Sequence, residues 1–328
     1  MSGSSSIEQR VPDRHAARVR SVRLRDGVAT VVADAAGLDR QAAAALEQEL
    51  KQAVGEHPEV REVRVALMAE RVARRIIAIG SGKGGVGKST LTANLAVALA
   101  RAGRKVGVVD ADISGPSQVM LLDAESRKPK AEGKQLIPVE SDFGVKLLSM
   151  GQLIEPGKAI AWRGPMTGSA LGQLMDARWD DTELLLIDLP PGTGDVQLTM
   201  LQKFKPAGAV IVSTPQDLAL IDAVRAIDLF RQGQVPVIGI VENMAGYACP
   251  HCGEISDPFG AGGAEAAARN LGEMFLGRVP LAMEIRVAGD TGQPPAAGDT
   301  PQGQSFAAIA ARVGEWLDTA PASTPAPA

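Results

Sequence analysis

Gly82-Lys83-Gly84-Gly85-Val86-Gly87-Lys88-Ser89 decides how this chain is read. The octapeptide fits the pattern G-x-x-x-x-G-K-[ST]. The apolar run Ile76-Ile77-Ala78-Ile79 precedes it, and Leu91, Leu95, Ala98 and Leu99 follow at helical spacing. Strand, glycine loop and helix in that order are the context that gives the pattern its meaning. Glycines let backbone N–H groups close around phosphate oxygens with no Cβ in the way. The helix then points its N-terminal dipole at the same anion. Lys88 is expected to neutralise the β/γ-phosphates, and the Ser89 hydroxyl to coordinate Mg²⁺. The candidate nucleotide-binding set is Gly82, Lys83, Gly84, Gly85, Val86, Gly87, Lys88, Ser89 and Thr90. In this role Lys88 serves a ligand and not the core, so its loss is expected to leave thermal stability unchanged.

Around this loop, apolar strand candidates alternate with helical segments: Ile76–Ile79, Val106–Val109, Val145–Leu148, Leu184–Ile187, Ala209–Val212, Val237–Val241 and Phe275–Val279. Continuous apolar strands separated by helices predict an α/β fold, a mostly parallel sheet flanked by helices on both faces. Ligands in such folds bind beyond the C-terminal strand ends. This ATPase-type domain is expected over residues 75–320. A smaller α+β domain is expected over 15–68, from strands at Val19–Arg23, Val28–Ala33 and Val60–Leu67 and a helix from Asp39 to Val54. Residues 1–14 are polar and residues 321–328 are Pro/Ala-rich; both are expected to be disordered.

The 328 residues suffice for one substantial core and a small second domain. A formal net charge of −4 and few aromatic residues argue against nucleic acid as a partner. No apolar run approaches the roughly 20 residues that span a bilayer, and the first ten residues lack the apolar core of a signal peptide. The expectation is a cytoplasmic protein with no membrane partner. The apolar face of Phe306, Ile309, Val313, Trp316 and Leu317 lacks the basic residues of a membrane-surface helix, and core packing explains it better.

Three further blocks carry chemistry. Asp110-Ala111-Asp112-Ile113-Ser114-Gly115-Pro116-Ser117 follows the second strand of the larger domain, where a carboxylate can position an attacking water. Leu184-Leu185-Leu186-Ile187-Asp188 is an apolar strand ending in Asp, the Walker B arrangement, in which Asp188 holds Mg²⁺ through a water. Val241-Glu242-Asn243-Met244-Ala245-Gly246-Tyr247-Ala248-Cys249-Pro250-His251-Cys252-Gly253 contains the only two cysteines of the chain. By residue type alone the C-x-x-C pair suits an iron–sulfur cluster, a structural zinc or a redox dithiol. One chain offers two thiolates, whereas a [4Fe–4S] cluster usually takes about four. A two-fold dimer would supply the rest.

The loop with its second lysine, Lys83, resembles the deviant K-G-G-x-G-K-[ST] loop shared by Mrp/ApbC-type iron–sulfur cluster carriers, MinD/ParA-type positioning ATPases and the nitrogenase iron protein. The blocks D-A-D-I-x-G-P-S and E-N-M…C-P-x-C-G resemble the Mrp/ApbC branch, with departures at Ala245, Gly246 and Tyr247. Trp162-Arg163-Gly164-Pro165-Met166 and the segment Gly277 to Asp290 also match that branch. The resemblance implies a homodimer that binds ATP, Mg²⁺ and a [4Fe–4S] cluster and delivers the cluster to apo iron–sulfur proteins, with an ATP hydrolase activity. It implies catalytic roles for Lys83, reaching the partner subunit's phosphates, for Lys88 and for Asp112. It implies Asp110 organising Mg²⁺ and its waters, Asn243 contacting adenine, and Cys249 and Cys252 ligating the cluster. A positioning switch of the MinD/ParA kind is the alternative, and it does not need the cysteines. The small domain resembles a shortened MIP18-like domain, without that family's opening helix or its D-P-E-L-type loop.

Overall fold

The computed structural model describes Ile7, Leu38 and residues 10–35, 40–68, 74–133, 135–153 and 164–320. The segment around Trp162 and Arg163 and the tail from 321 lie outside the described residues. The chain divides into two compact units between residues 72 and 73.

The first unit begins with the short helix α1 (Asp13–Ala16), followed by β1 (Val19–Arg25), β2 (Val28–Asp34), α2 (Arg40–Gly55) and β3 (Glu62–Met68). β1 and β2 pair antiparallel across a turn in which Asp26 and Gly27 both have positive φ, as a tight hairpin requires. β3 then pairs parallel to β2, and α2 supplies the crossover such a pairing needs. Leu46, Leu50 and Val54 of α2 share a small core with Val22, Ala29, Val31 and Ala33. Ile7 is helical and fully buried in that core. The segment expected to be disordered therefore differs at Ile7 and at α1. With few apolar residues it carries too little periodicity to reveal either.

The second unit holds an eight-stranded sheet. Its strands are β4 (Arg75–Gly80), β5 (Val106–Asp110), β8 (Val139–Glu140), β9 (Lys146–Ser149), β10 (Leu184–Asp188), β11 (Gly208–Ser213), β12 (Val237–Asn243) and β15 (Phe275–Val279). Their order is β15-β12-β11-β4-β10-β5-β9-β8. All neighbours are parallel except the edge pair β8 and β9. Two small antiparallel hairpins lie outside it, β6 (Lys130–Glu132) with β7 (Gln135–Ile137) and β13 (Tyr247–Ala248) with β14 (Ile255–Ser256).

Alternation along the strands gives the sheet two cores. Ile77, Ile79, Val108, Leu184 and Leu186 pack toward α3 (Lys88–Arg101) and the last helix, α10 (Pro301–Thr319). Ala78, Val109, Leu185, Ile187 and Ile211 pack toward α5 (Gly164–Met175), α7 (Asp217–Gln232) and α8 (Gly263–Leu271). The apolar face of α10 is spent in the first core, where Phe306, Ile309, Val313 and Leu317 are buried. At roughly 1.5–3 kcal/mol per large side chain, that burial accounts for the face without a membrane. Among the described residues no helix is long and apolar enough to cross one.

Every parallel strand ends on the same edge. β4 runs into the glycine loop, β5 into Asp110, β10 into Asp188 and β12 into Asn243. Short helices follow at that edge: α4 (Gln118–Leu121), α6 (Asp195–Thr199) and α9 (Met283–Asp290).

Candidate functional site

The glycine loop is held open by its neighbours. Gly85 and Gly87 have φ of +78° and +82°, a region L-residues rarely occupy. A Cβ at Gly87 would lie 2.0 Å from Nδ2 of Asn243, and one at Gly82 would lie 2.1 Å from the backbone of Asp222. Gly82 therefore needs glycine for space, and a side chain at Gly87 would displace the Asn243 amide. Asn243 Nδ2 donates to the Val86 carbonyl at 2.8 Å, which ties the end of β12 to the loop.

Lys88 opens α3 and is buried, with its ammonium hydrogen-bonded to Oδ1 of Asp188. It also lies 3.5 Å from the Ser89 hydroxyl. Asp188 is fully buried; Oδ1 also accepts from Thr92 Oγ1 at 3.3 Å, and Oδ2 accepts from Gln118 Nε2 at 2.9 Å. The same Nε2 donates to the Ser89 carbonyl at 2.9 Å. Lys88, Ser89 and Asp188 thus converge on one point, and Gln118 closes it. The expectation that Lys88 serves only a ligand is corrected by this geometry, since the lysine is also the counter-charge of a buried carboxylate.

Asp110 is fully buried on the neighbouring strand. Its oxygens accept from the backbone amides of Asp112, Ser117 and Gln118 at 3.2, 3.0 and 3.1 Å and from the Ser149 hydroxyl at 3.0 Å. Burial, reinforced by the Asp188 carboxylate, pushes its pKa up to about 7 against the pull of those donors. Asp110 thereby fixes the loop from 112 to 118. Asp112, on that loop, is half-buried, and its Oδ1 accepts from the Ser114 amide at 3.0 Å. Lys83 is turned the other way, its ammonium 3.3 Å from Oε1 of Gln216. Lys83 and Asp112 are therefore not gathered onto Lys88 and Asp188 within the single chain.

The loop after Asp188 is clamped to the phosphate loop. The Gly192 amide donates to the Ser81 carbonyl at 2.9 Å, and the Ser81 hydroxyl donates to the Lys83 carbonyl at 3.0 Å. Gln197 Nε2 holds the carbonyls of Pro190 and Gly192 at 2.6 and 3.0 Å. A cleft of about 350 Å³ starts at Gly87, Ser89 and Thr90 and runs along Asn243, Pro280 and Ile285. Its size and mostly apolar wall suit a nucleoside. Ser89 hydroxyl and Asp188 carboxylate oxygens form a hard-oxygen donor pair of the kind Mg²⁺ prefers. The buried Gln118 Oε1 beside them has no hydrogen-bond partner among the described residues. The residues present fit Mg²⁺ with a nucleotide.

Cys249 and Cys252 lie on the turn between β13 and β14, not at a helix N-terminus. The Cys249 amide donates to the Glu254 carbonyl at 2.9 Å, and the Gly253 amide to the Cys249 carbonyl at 2.8 Å, with Gly253 at φ +75°. Hydrogen bonds from the His251 amide, then from the Cys252 amide and thiol, lower the Cys249 pKa. That favours the thiolate that metals bind. Cys252 is exposed. Among the described residues no group of three or more His, Cys, Asp or Glu is placed to hold a metal.

Sequence reasoning missed Gln118 and Glu242. Gln118 directly follows the Asp110–Ser117 block, but nothing in its type signals that it reaches Ser89 and Asp188. Glu242 is fully buried beside Asn243 and accepts from the Gly262 and Ala264 amides at 3.3 and 2.8 Å and from Arg278 Nε at 2.8 Å. Arg278 also binds Glu265, and these carboxylates raise its pKa, Glu242 first. A glutamate ending an apolar strand was the available signal.

Comparison with known proteins identifies the family. A family profile described as ParA, the NUBPL iron-transfer P-loop NTPase, matches residues 72–314. The iron–sulfur cluster carrier protein of Pseudomonas fragi is 51% identical over 229 residues, covering 69% of this chain and 79% of that protein. The iron–sulfur cluster transfer protein NUBPL of Dictyostelium discoideum is 43% identical over 263 residues, covering 79% and 81%. Among solved structures, the nucleotide-binding protein of Archaeoglobus fulgidus in complex with ADP has a TM-score of 0.61 at 37% identity, covering 77% of this chain and 94% of that one. The cell division ATPase MinD of Pyrococcus furiosus has a TM-score of 0.57 at 24% identity, covering 74% and 98%, a likeness of fold alone. The chain belongs to the Mrp/ApbC/NUBPL family of iron–sulfur cluster carriers within the ParA/MinD-like P-loop NTPases.

Proposed function

We propose that the protein is an ATP-hydrolysing carrier that binds a [4Fe–4S] cluster between two copies of itself and passes it to apo iron–sulfur proteins. Family membership supports the carrier role. One observation supports the coupling to nucleotide: the end of β12 serves both sites. Asn243 grips the phosphate loop through Val86, and Cys249 follows six residues later on a hairpin stemming from the same strand end. A change at the phosphates has a short path to the thiolates.

In this reading Gly82 to Thr90 cradle the phosphates, and the apolar cleft beside Asn243 takes the base. Ser89 and Asp188 hold Mg²⁺, with Asp110 behind them fixing the loop. Bound Mg²⁺ supplies charge neutralisation at the phosphates. Lys88 leaves Asp188 for the phosphate oxygens. Asp112 orients the attacking water, and Lys83 stabilises developing charge on the nucleotide of the facing subunit. Cys249 and Cys252 of each copy give the cluster its thiolates, and the exposure of Cys252 suits a cargo that must leave.

Anaerobic reconstitution with iron and sulfide, read by absorption and electron paramagnetic resonance, tests the reading. About four irons and four acid-labile sulfides per dimer are expected. Tightly held zinc, or no metal with intact ATP turnover, would leave a positioning switch of the MinD/ParA kind.

A further inference from the structure

Gln118 opens α4 and is fully buried. Its Nε2 donates to the Ser89 carbonyl and to Asp188 Oδ2, both at 2.9 Å, and its backbone amide donates to Asp110 Oδ2 at 3.1 Å. Its Oε1 is buried without a partner among the described residues. The orientation of the amide is dictated by its surroundings. Reversed, Oε1 would face two acceptors, the Ser89 carbonyl and the Asp188 carboxylate, and both contacts would turn repulsive. The oxygen that needs a donor is therefore fixed on the same amide as the nitrogen that bonds the Ser89 carbonyl and Asp188. Buried amide oxygens are matched by protein, ordered water or ligand donors. Mg²⁺ keeps several of its waters when it binds protein, and the metal makes those waters strong donors.

We propose that Gln118 is a positioning residue for the metal, with Oε1 accepting a hydrogen bond from a Mg²⁺-bound water. The inference rests on the reading of Ser89 and Asp188 as the Mg²⁺-nucleotide site. An amide suits the place because it adds an acceptor without adding charge. A third carboxylate beside Asp110 and Asp188 would burden a site that already concentrates negative charge. The backbone of the same residue continues to Asp110, whose carboxylate also holds the Asp112 amide. Metal occupancy is thus transmitted to the loop carrying Asp112 through one residue.

The test is equilibrium binding of a fluorescent ADP analogue to the full-length protein, with excess Mg²⁺ or with EDTA. The wild-type protein is expected to bind more tightly with Mg²⁺. Gln118→Met, similar in length and lacking the amide, is expected to lose about tenfold of that tightening and to keep the affinity measured in EDTA. Equal Mg²⁺-dependent tightening in variant and wild type overturns the proposal and leaves the nucleotide-site reading standing. Equal weakening with and without metal assigns Gln118 to packing alone and also overturns it. No tightening in the wild type overturns the Mg²⁺-nucleotide reading itself. Gln118→Leu guards against a Met variant that fails to fold. It removes the same acceptor, so Mn²⁺ binding in the presence of ADP, read by electron paramagnetic resonance, should weaken. Unchanged Mn²⁺ affinity there counts against the proposal.

Discussion

The ammonium of Lys88 is hydrogen-bonded to the carboxylate of Asp188, and both side chains are buried. The lysine of the phosphate loop and the aspartate at the end of β10 neutralise each other across adjacent strand ends. In the proposed reading, nucleotide binding becomes an exchange: phosphate oxygens would take the lysine, and the freed carboxylate would become available to a cation. A buried ion pair adds little net stability, yet removing one partner leaves a bare buried charge.

Lys88→Ala is therefore expected to abolish nucleotide binding and also to destabilise the nucleotide-free protein by about 3 kcal/mol. Adding Asp188→Asn should restore most of that stability, because it removes the orphaned charge. Urea unfolding of the two single variants and the double variant measures the coupling. An unchanged midpoint in Lys88→Ala would show that the pair carries no weight.

The pH dependence of stability should expose Asp110. Its pKa is raised from 3.8 to about 7, chiefly by burial. Between those values the folded protein holds a proton that the unfolded chain has lost. Stability of the metal-free protein should therefore fall as pH rises from about 4 to 7, with a slope of up to about 1.4 kcal/mol per pH unit. Above pH 7 this contribution is flat. Asp110→Asn stays neutral, so its profile should lose that slope, although its NH₂ group opposes the donors that Asp110 accepts. Urea midpoints at pH 5, 6, 7 and 8 decide it, and parallel profiles for both proteins would refute the assignment.

The sheet was legible because each central strand is a continuous apolar run, and the phosphate loop because its glycines and flanks are local. The strand β8 and the hairpins β6–β7 and β13–β14 were not, since two or three residues per strand cannot display a period of two. The pairing of Lys88 with Asp188 spans one hundred residues and depends on β4 and β10 being neighbours. Gln118 escaped for a similar reason: its partners come from α3 and β10, and glutamine has no motif of its own. The loop placement of Cys249 and Cys252 was legible in Gly246, Pro250 and Gly253, whereas the hairpin they sit on, with positive φ at Gly246 and Gly253, was not.

Glu242→Gln should loosen the cysteine segment and spare the nucleotide. Glu242 holds the Gly262 and Ala264 amides and Arg278, closing the far end of the segment that begins at Asn243. An amide in its place cannot accept from all three donors. A loss of about 2 kcal/mol and faster transfer of the cluster to a chelator are expected, with ADP affinity unchanged. A cluster-loss rate equal to wild type would remove Glu242 from the cluster's support.

Lys83→Ala and Asp112→Ala should each keep near-normal nucleotide affinity and lose hydrolysis, because in the proposed reading both groups act on developing charge or on the water. The ammonium of Lys83 is placed at Gln216 within its own chain, which suits a residue that acts across an interface. Mixing the two variants forms heterodimers in which one site keeps both groups, so part of the activity should return. No recovery, with heterodimers shown to form, would argue for action within one chain.

Cys249→Ser or Cys252→Ser should abolish stable cluster binding and leave nucleotide binding at Lys88 and Ser89 intact. The Cys249 thiol is already biased toward thiolate by the His251 amide, whereas a serine hydroxyl is a poor ligand for iron–sulfur chemistry. Stoichiometry gives the stronger test. Each chain has two cysteines, so a cluster held by about four thiolates must join two chains across a two-fold axis. Such a cluster links the protomers, and the dimer should persist at dilutions where the metal-free form dissociates. Sedimentation of loaded and metal-free protein, with iron and sulfide counted on the same samples, measures both quantities. A monomeric loaded form would refute the shared cluster, and the carrier would then have to hold its cargo with ligands from outside this chain.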